Sequence, residues 1–153
     1  MRKVIVLLAV LAAALATAGA ATATPIDDVK ADAAKLQSDV AGARTTLVAD
    51  LQKLVADAQS AKSLSKPDAK ALIKSDLAKF RSDRQAARAA IKADRAQLKT
   101  DLAAAKQVEG AKAALQPTLK SLRQSVRQAR QAIRAELRQA RAALRELRAS
   151  FRK

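Results

Sequence analysis

The chain contains no cysteine, histidine, tryptophan, tyrosine or asparagine, and two phenylalanines are its only aromatic residues. The absence of thiol and imidazole groups excludes nucleophile–base pairs and metal sites built from cysteine or histidine. The scarcity of aromatic rings excludes a stacking platform for single-stranded bases. A glycine-rich phosphate loop is also missing. We therefore predict a protein that is not an enzyme and that uses no cofactor, no metal ion and no small-molecule substrate.

Glycine and proline are scarce as well, with three residues of each in 153. Alanine, leucine, lysine, arginine and glutamine dominate what remains, and these residues favour α-helix. The 30 lysines and arginines outnumber the 14 aspartates and glutamates, so the formal net charge is +16. A chain with this charge and few bulky apolar side chains is not expected to build a large globular core. Long helices that touch through alanine-rich stripes suit this composition better.

Residues 1–23 have the features of a bacterial-type export signal. A basic start is followed by an uncharged apolar run over residues 4–16 and then by small residues, with small-x-small sites that end at Ala20 and Ala23. We expect cleavage after Ala20 or Ala23, and therefore a protein exported to the periplasm or the extracellular space. The alternative is an uncleaved membrane anchor, because the uncharged stretch over residues 4–24 is just long enough to span a bilayer.

Capping and turn signals divide the rest of the chain into three helices. Thr24 directly before Pro25, and Ser65 two residues before Pro67, are typical of helix N-termini, where a hydroxyl caps the backbone and proline fits the first turn. Gly110 marks a third break, and the residues between it and the last helix are either a loop or one more helical turn. The predicted helices span, approximately, residues 25–63, 67–109 and 117–151.

Apolar residues recur at alternating spacings of three and four along the first and third of these helices. This spacing is typical of a coiled-coil contact stripe. The stripe of the middle helix is weaker, because charged residues interrupt it. We therefore predict an all-α fold after the N-terminal signal helix: a single domain over residues 24–153 that forms an elongated antiparallel three-helix bundle or coiled coil of long Ala-rich helices. Its stability should be low or should depend on self-association through the helical stripes.

The helices also resemble one another in sequence. Residues 30–64 align with residues 74–108 after a shift of 44 positions, with 14 identities in 35. Residues 80–99 align with residues 126–145 after a shift of 46 positions, with nine identities in 20. A shared bias toward alanine, lysine and arginine raises such matches, but the register of the aspartates is hard to obtain from composition alone. We interpret the chain as three related long-helix units.

Aspartates form a straight line on each of the first two helices. Their spacing is 7, 11 and 7 residues in both lines, which keeps each set on one side of an α-helix. Lys35, Lys53 and Lys79 each lie three residues after one aspartate and four before the next, so we predict solvated ion-pair ladders. A metal site is not predicted, because carboxylates two turns apart on a helix are separated by about 10 Å. The aspartates are Asp32, Asp39, Asp50 and Asp57 on the first helix and Asp76, Asp83, Asp94 and Asp101 on the second.

Nine arginines follow one edge of the third helix, each directly after a residue of its apolar stripe. Two acids, Glu136 and Glu146, share this helix, and neither has a lysine or arginine three or four residues away. Residues 117–153 carry 11 basic and 2 acidic residues, a net charge of +9. Arginine favours bidentate contact with phosphate, sulfate or carboxylate, so we predict a polyanion-binding surface here. Its residues are Arg123, Arg127, Arg130, Arg134, Arg138, Arg141, Arg145 and Arg148, and Arg152 ends the row.

These patterns predict an exported, basic, helical protein that binds anionic polymers of the envelope or surroundings: acidic polysaccharide, lipid headgroups or nucleic acid. Contact with an anionic polymer or an anionic membrane surface should not depend on the sequence of the bound polymer. One alternative is that part of the arginine row pairs with the aspartate lines across the bundle. A second is a periplasmic structural or chaperone-like coiled-coil protein that binds other proteins. A third, an intracellular histone-like DNA compactor, fits the composition, but the export signal argues against it.

Overall fold

The computed structural model describes residues 24–152, which form three long α-helices, α1 to α3 in chain order, and one short 3₁₀ turn after α1. This part of the chain contains no β-strand. The predicted all-α three-helix bundle is confirmed. The elements are α1 Pro25–Ser60, the 3₁₀ turn Ala61–Ser63, α2 Lys66–Ala105 and α3 Ala111–Ser150.

Hydroxyl caps begin the first two helices, as the sequence predicts. The side chain of Thr24 accepts a hydrogen bond from the backbone N–H of Asp27 at 3.3 Å. Ser65 accepts one from the backbone N–H of Asp68 at the same distance of 3.3 Å. A proline occupies the first turn of each helix, where its missing N–H would have no helical partner. Local sequence alone therefore determines where α1 and α2 begin.

The start of α3 lies at Ala111, six residues before the predicted start at Pro117. Gly110 precedes it with a φ of 76°, a left-handed conformation that glycine adopts without a steric penalty. Pro117 lies inside the helix, where it has no N–H to donate to the carbonyl of Ala113. The additional turns persist because Ala111 and Leu115 are buried, and burial of apolar surface offsets the missing hydrogen bond.

The central element of the bundle is α1. It packs closely against both α2 and α3, whereas the backbones of α2 and α3 stay farther apart and these two helices share only the apolar clusters that they form with α1. Side-chain contacts between the helices show that α2 runs antiparallel to α1 and that α3 runs parallel to it. Because α1 has a neighbour on each side, it buries more apolar residues than α2 does. The weak apolar stripe predicted for the middle helix therefore matches a helix that packs on one side only.

The core is a row of three apolar clusters along the bundle. Its most deeply buried large side chains, Val29, Leu51 and Leu54, all belong to α1. Several large apolar residues of the outer helices remain only half-buried, including Ile91 on α2 and Ile133 on α3. Both residues line the gap between α2 and α3, which no helix within residues 24–152 covers.

The predicted export signal, with cleavage after Ala20 or Ala23, lies outside the described residues. Across residues 24–152, no helix carries an apolar stretch of the length that a membrane crossing requires.

Candidate anion-binding surface

The predicted arginine row lies on the outer surface of α3. All nine side chains are exposed, while the residues that precede them in the sequence are buried or half-buried. The first eight, from Arg123 to Arg148, extend over about 38 Å at 1.5 Å per residue. The structure therefore brings the predicted site residues together as one continuous cationic edge.

No arginine within residues 24–152 lies within salt-bridge distance of a carboxylate, and none there takes part in a side-chain hydrogen bond. The two acids of α3 contact α1 instead. Gln52 donates to Glu136 at 3.2 Å, and the Nζ of Lys62 lies 3.0 Å from Glu146. The alternative in which arginines of α3 pair with the aspartate lines is therefore not what the structure shows.

Lysines, not arginines, contact the aspartate lines. Each of three lysines donates to the aspartate four residues ahead on its own helix: the pairs are Lys35–Asp39, Lys53–Asp57 and Lys79–Asp83. The same lysines also reach across between α1 and α2: the pairs are Lys35–Asp94, Lys53–Asp76 at 2.7 Å and Lys79–Asp50 at 2.5 Å. Each of these lysines therefore pairs with the aspartate four residues ahead, as the ladder predicts, but none pairs with the aspartate three residues behind on its own helix.

The predicted solvation of these ladders is wrong for three aspartates. Asp50, Asp76 and Asp94 are buried between α1 and α2, with 7%, 7% and 8% of their surface exposed. The reason is that the bundle turns both aspartate lines toward the neighbouring helix. The lysine stems remain exposed and bring their ammonium groups to the edge of the interface.

The interhelical pairs repeat the internal symmetry of the sequence. A shift of 44 positions converts Lys35 into Lys79 and Asp50 into Asp94, so the contacts Lys35–Asp94 and Lys79–Asp50 exchange. The two antiparallel helices are therefore related by a pseudo-two-fold axis. Applied to Lys53–Asp76, the same shift gives Gln97 opposite Asp32.

This fourth position of the ladder has no cation. Gln97 donates to Asp101 at 3.0 Å, as each lysine does to the aspartate four residues ahead. The Oδ2 atom of Asp32 is buried and accepts no hydrogen bond. Burial raises the pKa of Asp32, and the neighbouring carboxyl of Asp101 raises it further. The α1–α2 interface thus contains one carboxyl for which the repeat supplies no lysine.

Where a lysine is present, the pKa shift has the opposite sign. The hydrogen bond from Lys53 lowers the pKa of Asp57. Lys79 lowers the pKa of Asp83 in the same way, and Lys35 lowers that of Asp94. These three carboxylates are therefore held in their charged form.

A long groove separates α2 from α3, and we name it the α2–α3 groove. Its central stretch has a volume of about 710 Å³ and is floored by Val40, Ala43 and Leu47 of α1. A second stretch of about 450 Å³ lies between the first half of α2 and the last turns of α3, where Phe151 closes it. Apolar residues of both outer helices complete the walls of each stretch.

Basic side chains form both rims of the α2–α3 groove. No carboxylate lines either stretch among the residues that the structure describes. Three of the predicted arginines lie on the α3 rim of the central stretch, and Arg148 lines the second stretch. Arg123, Arg127, Arg138 and Arg145 line neither. The basic residues of the central stretch are Arg84, Arg88, Lys92 and Arg95 of α2 and Arg130, Arg134 and Arg141 of α3.

The four basic residues on the α2 rim were missed by reasoning from the sequence, which placed the surface on α3 alone. A signal for them existed in the repeat. The shift of 46 positions places Arg84, Arg88 and Arg95 on Arg130, Arg134 and Arg141. Repeat-equivalent arginines therefore lie on opposite rims of the groove, in reversed order along it because α2 and α3 run antiparallel.

No protein-family model, curated protein or solved structure matches this chain. Within residues 24–152, no cluster of three or more carboxylates is arranged to hold a metal ion. The chemistry of the described surface is therefore what indicates a function.

Proposed function

We propose that the protein binds anionic polymers or anionic lipid surfaces through the arginine edge of α3, without sequence specificity. One observation carries this proposal: the arginines from Arg123 to Arg148 are all exposed, and none of them pairs with a carboxylate of the chain. Their positive charge is therefore free to interact with a partner.

The chemistry of arginine supports a phosphate, sulfate or carboxylate ligand. A guanidinium group donates two parallel hydrogen bonds to such an anion, and it is less strongly hydrated than an ammonium group. Three lysines contact six of the eight aspartates in the two lines and the arginines contact none, so the two kinds of cation are separated in space. Lysines hold the α1–α2 interface together, and arginines supply the exposed cationic edge.

Export would determine which polymers the protein meets. If residues 1–23 direct the chain out of the cytoplasm, the available polyanions are acidic polysaccharide, lipid headgroups and nucleic acid outside the cell. The export signal remains a prediction, and polymer binding by α3 does not depend on it.

The experiment replaces Arg127, Arg130, Arg134, Arg138 and Arg141 with glutamine, which preserves helix propensity. Binding to heparin, to duplex DNA and to phosphatidylglycerol vesicles is measured over a range of salt concentrations. Affinity should fall, and the slope of log affinity against log salt should become shallower as fewer counterions are released. Circular dichroism checks that the variant is folded.

The matched control lowers the net charge by the same amount at exposed positions away from this edge. It replaces Lys30, Arg44, Lys70, Lys99 and Lys106, all outside α3, with glutamine. An equal loss of affinity in both variants would show that net charge alone drives binding and would overturn the arginine edge as the site. Unchanged affinity in the first variant would overturn it as well.

A second candidate function, a structural or chaperone-like protein that binds other proteins, is favoured by one observation. The α2–α3 groove is lined by half-buried apolar residues of two helices, and an acidic polysaccharide has no large apolar surface that would pack against them. Apolar side chains that stay partly open in a groove are typical of sites that contact a protein or a lipid.

A further inference from the structure

The bundle has an open position for one more helix. In this chain α1 lies between α2 and α3, whose backbones stay farther apart from each other, so the two outer helices and α1 form three sides of a trough. Helix bundles commonly close such a trough with a fourth helix, which then packs against both outer helices. The central stretch from Phe80 to Arg95 is about 22 Å long, and the second stretch lengthens it toward Lys66.

The walls of the trough carry apolar residues at helical spacing. On α2 these are Ile73, Leu77, Phe80, Ala87 and Ile91, which follow one another at intervals of four, three, seven and four residues. The α3 wall repeats this pattern, because Phe80, Ala87 and Ile91 correspond to Val126, Ile133 and Leu137 after the shift of 46 positions. Rows with this period accept the side chains of another helix as knobs between them.

Two buried apolar positions of α1 are occupied by arginine at the repeat-equivalent positions of α2 and α3. Val40 of α1 is buried, and its equivalents on the outer helices are Arg84 and Arg130. Leu51 of α1 is buried too, and its equivalents are Arg95 and Arg141. These two positions are therefore apolar on α1, which packs on both sides, and arginine on both walls of the trough. This leaves an apolar floor with cationic rims on both sides.

The chain itself shows how its cationic rows meet a helix. Along the α1–α2 interface, the lysines at the rim reach carboxylates of the opposite helix, as in Lys53–Asp76 and Lys79–Asp50. The arginines on the groove rims have no such carboxylates among the described residues. A partner helix that fits the trough would supply carboxylates to these arginines.

We propose that the α2–α3 groove is the docking site for an amphipathic helix of a partner protein, with an apolar stripe flanked by aspartate or glutamate. The charge argues for an acidic partner and against a second copy of this chain, because two copies with a net charge of +16 each would place arginine against arginine. The groove runs about 33 Å from Ile73 to Arg95, so the docked helix has about 22 residues. The groove shares Arg130, Arg134 and Arg141 with the arginine edge, so its apolar walls and its α2 rim are what distinguish it from the polymer-binding site.

The probe is a synthetic peptide of about 22 residues, with leucine at the a and d positions of each heptad and glutamate at the e and g positions. A second peptide has the same composition in an order that destroys the apolar stripe. The first peptide should bind the protein with a Kd on the order of 10 μM or lower and gain helicity in circular dichroism, and the second should bind at least about tenfold more weakly. Equal affinity for both peptides, or no binding of the first, would overturn the proposal.

Variants then locate the binding site. Ile91→Ser with Ile133→Ser removes one half-buried apolar residue from each wall. Leu102→Ser with Leu119→Ser is the matched control, since these residues are half-buried on the same two helices but line neither stretch of the groove. The groove variant should lose at least about tenfold in affinity for the first peptide. The control variant should retain its affinity, and equal losses in both would overturn the site.

A rim variant keeps the test meaningful if the serine substitutions unfold the bundle. Arg84, Arg88 and Arg95 are exposed, so their replacement by glutamine does not disturb the core. This triple variant should weaken peptide binding, whereas heparin binding by the α3 edge should change little. Loss of heparin binding without loss of peptide binding would count against the groove. If phosphatidylglycerol vesicles, and not the peptide, require Ile91 and Ile133, the occupant is a lipid surface and the proposal is wrong.

Discussion

Lys79 of α2 donates to the buried carboxylate of Asp50 on α1 at 2.5 Å, and an equivalent lysine on α1 makes the symmetry-related contact to α2. The repeat of 44 residues therefore does more than duplicate a helix. It places each lysine so that it joins one aspartate of its own helix and one of the antiparallel neighbour. Register between α1 and α2 is specified by these pairs, since sliding either helix by one turn would separate buried carboxylates from their cations.

The vacant fourth position of this ladder can be filled. Gln97→Lys should place an ammonium group beside Asp32 and Asp101 and stabilise the protein by about 0.5–1 kcal/mol, a rise in Tm of about 2–4 °C. Thermal unfolding followed by circular dichroism measures the change. Gln85→Lys, at an exposed position of the same helix, is the control with equal charge and should not raise Tm. An unchanged or lower Tm for Gln97→Lys would contradict the pseudo-symmetric ladder.

Asp32 should weaken the fold at neutral pH. Its pKa is raised in the folded state, so the folded protein holds this proton more tightly than the unfolded chain does. The resulting stability is present at low pH and is lost as the pH rises through the raised pKa. Asp32→Asn should therefore increase stability at pH 7 by roughly 0.5 kcal/mol and have little effect below about pH 4. Urea unfolding at both pH values tests this, and a gain that is larger at the lower pH would contradict it.

The lysine-bonded carboxylates should make the protein sensitive to acid. The pKa values of Asp57, Asp83 and Asp94 are lowered, so their contribution is present above the unfolded value of about 4 and is lost as the pH falls through the lowered values. Protonation of all acids also raises the formal charge from +16 toward +30. The urea midpoint should fall steeply between about pH 4 and pH 2.

A variant isolates one of these pairs. Asp94→Asn should flatten part of the pH dependence, because Lys35 then has no buried carboxylate to contact on α2. Glu109→Gln, at an exposed position outside the helices, should leave the pH dependence unchanged. If the urea midpoint of both variants depends on pH as it does in the unmodified protein, the interhelical pairs do not determine acid sensitivity.

Pro117 should limit the stability of α3. It interrupts the hydrogen-bond ladder at the seventh residue of the helix, and the Pro117→Ala variant restores a donor for the carbonyl of Ala113. The expected gain is about 1–3 kcal/mol, which thermal unfolding would show as a Tm increase of several degrees. The neighbouring substitution Gln116→Ala should stay within about 0.5 kcal/mol of the original protein. A fall in Tm for Pro117→Ala would mean that the proline serves the bundle in another way.

Local sequence signals predicted most of the fold because they describe one helix at a time. Thr24 and Ser65 cap the helices they were expected to cap, and spacings of three and four identify the stripes that become the core. The start of α3 was misplaced, because proline usually marks a helix start. Burial of Leu115 against the other helices, a property of the assembled bundle, keeps the preceding residues helical.

Some features of the candidate site likewise follow from a single helix, and others follow only from the assembled bundle. Exposure of the arginine edge follows from the periodicity of α3 alone, so the sequence was sufficient to predict it. The α2–α3 groove depends on which pair of helices remains unpacked, and the apolar stripes of the separate helices do not determine this. Burial of Asp50 depends on the rotation of α1 about its own axis. The packing of α2 and α3 against α1 sets this rotation.

The position of α1 between two helices whose backbones stay farther apart also governs how the molecule comes apart. Each outer helix is attached mainly through its interface with α1, so either can detach without disrupting the other. Departure of α3 would leave a helical hairpin closed by its lysine–aspartate pairs, whereas departure of α2 would break those pairs. Amide protons of α1 should therefore be the slowest in the chain to exchange with deuterium, and α3 should form a separate, earlier-opening cooperative unit.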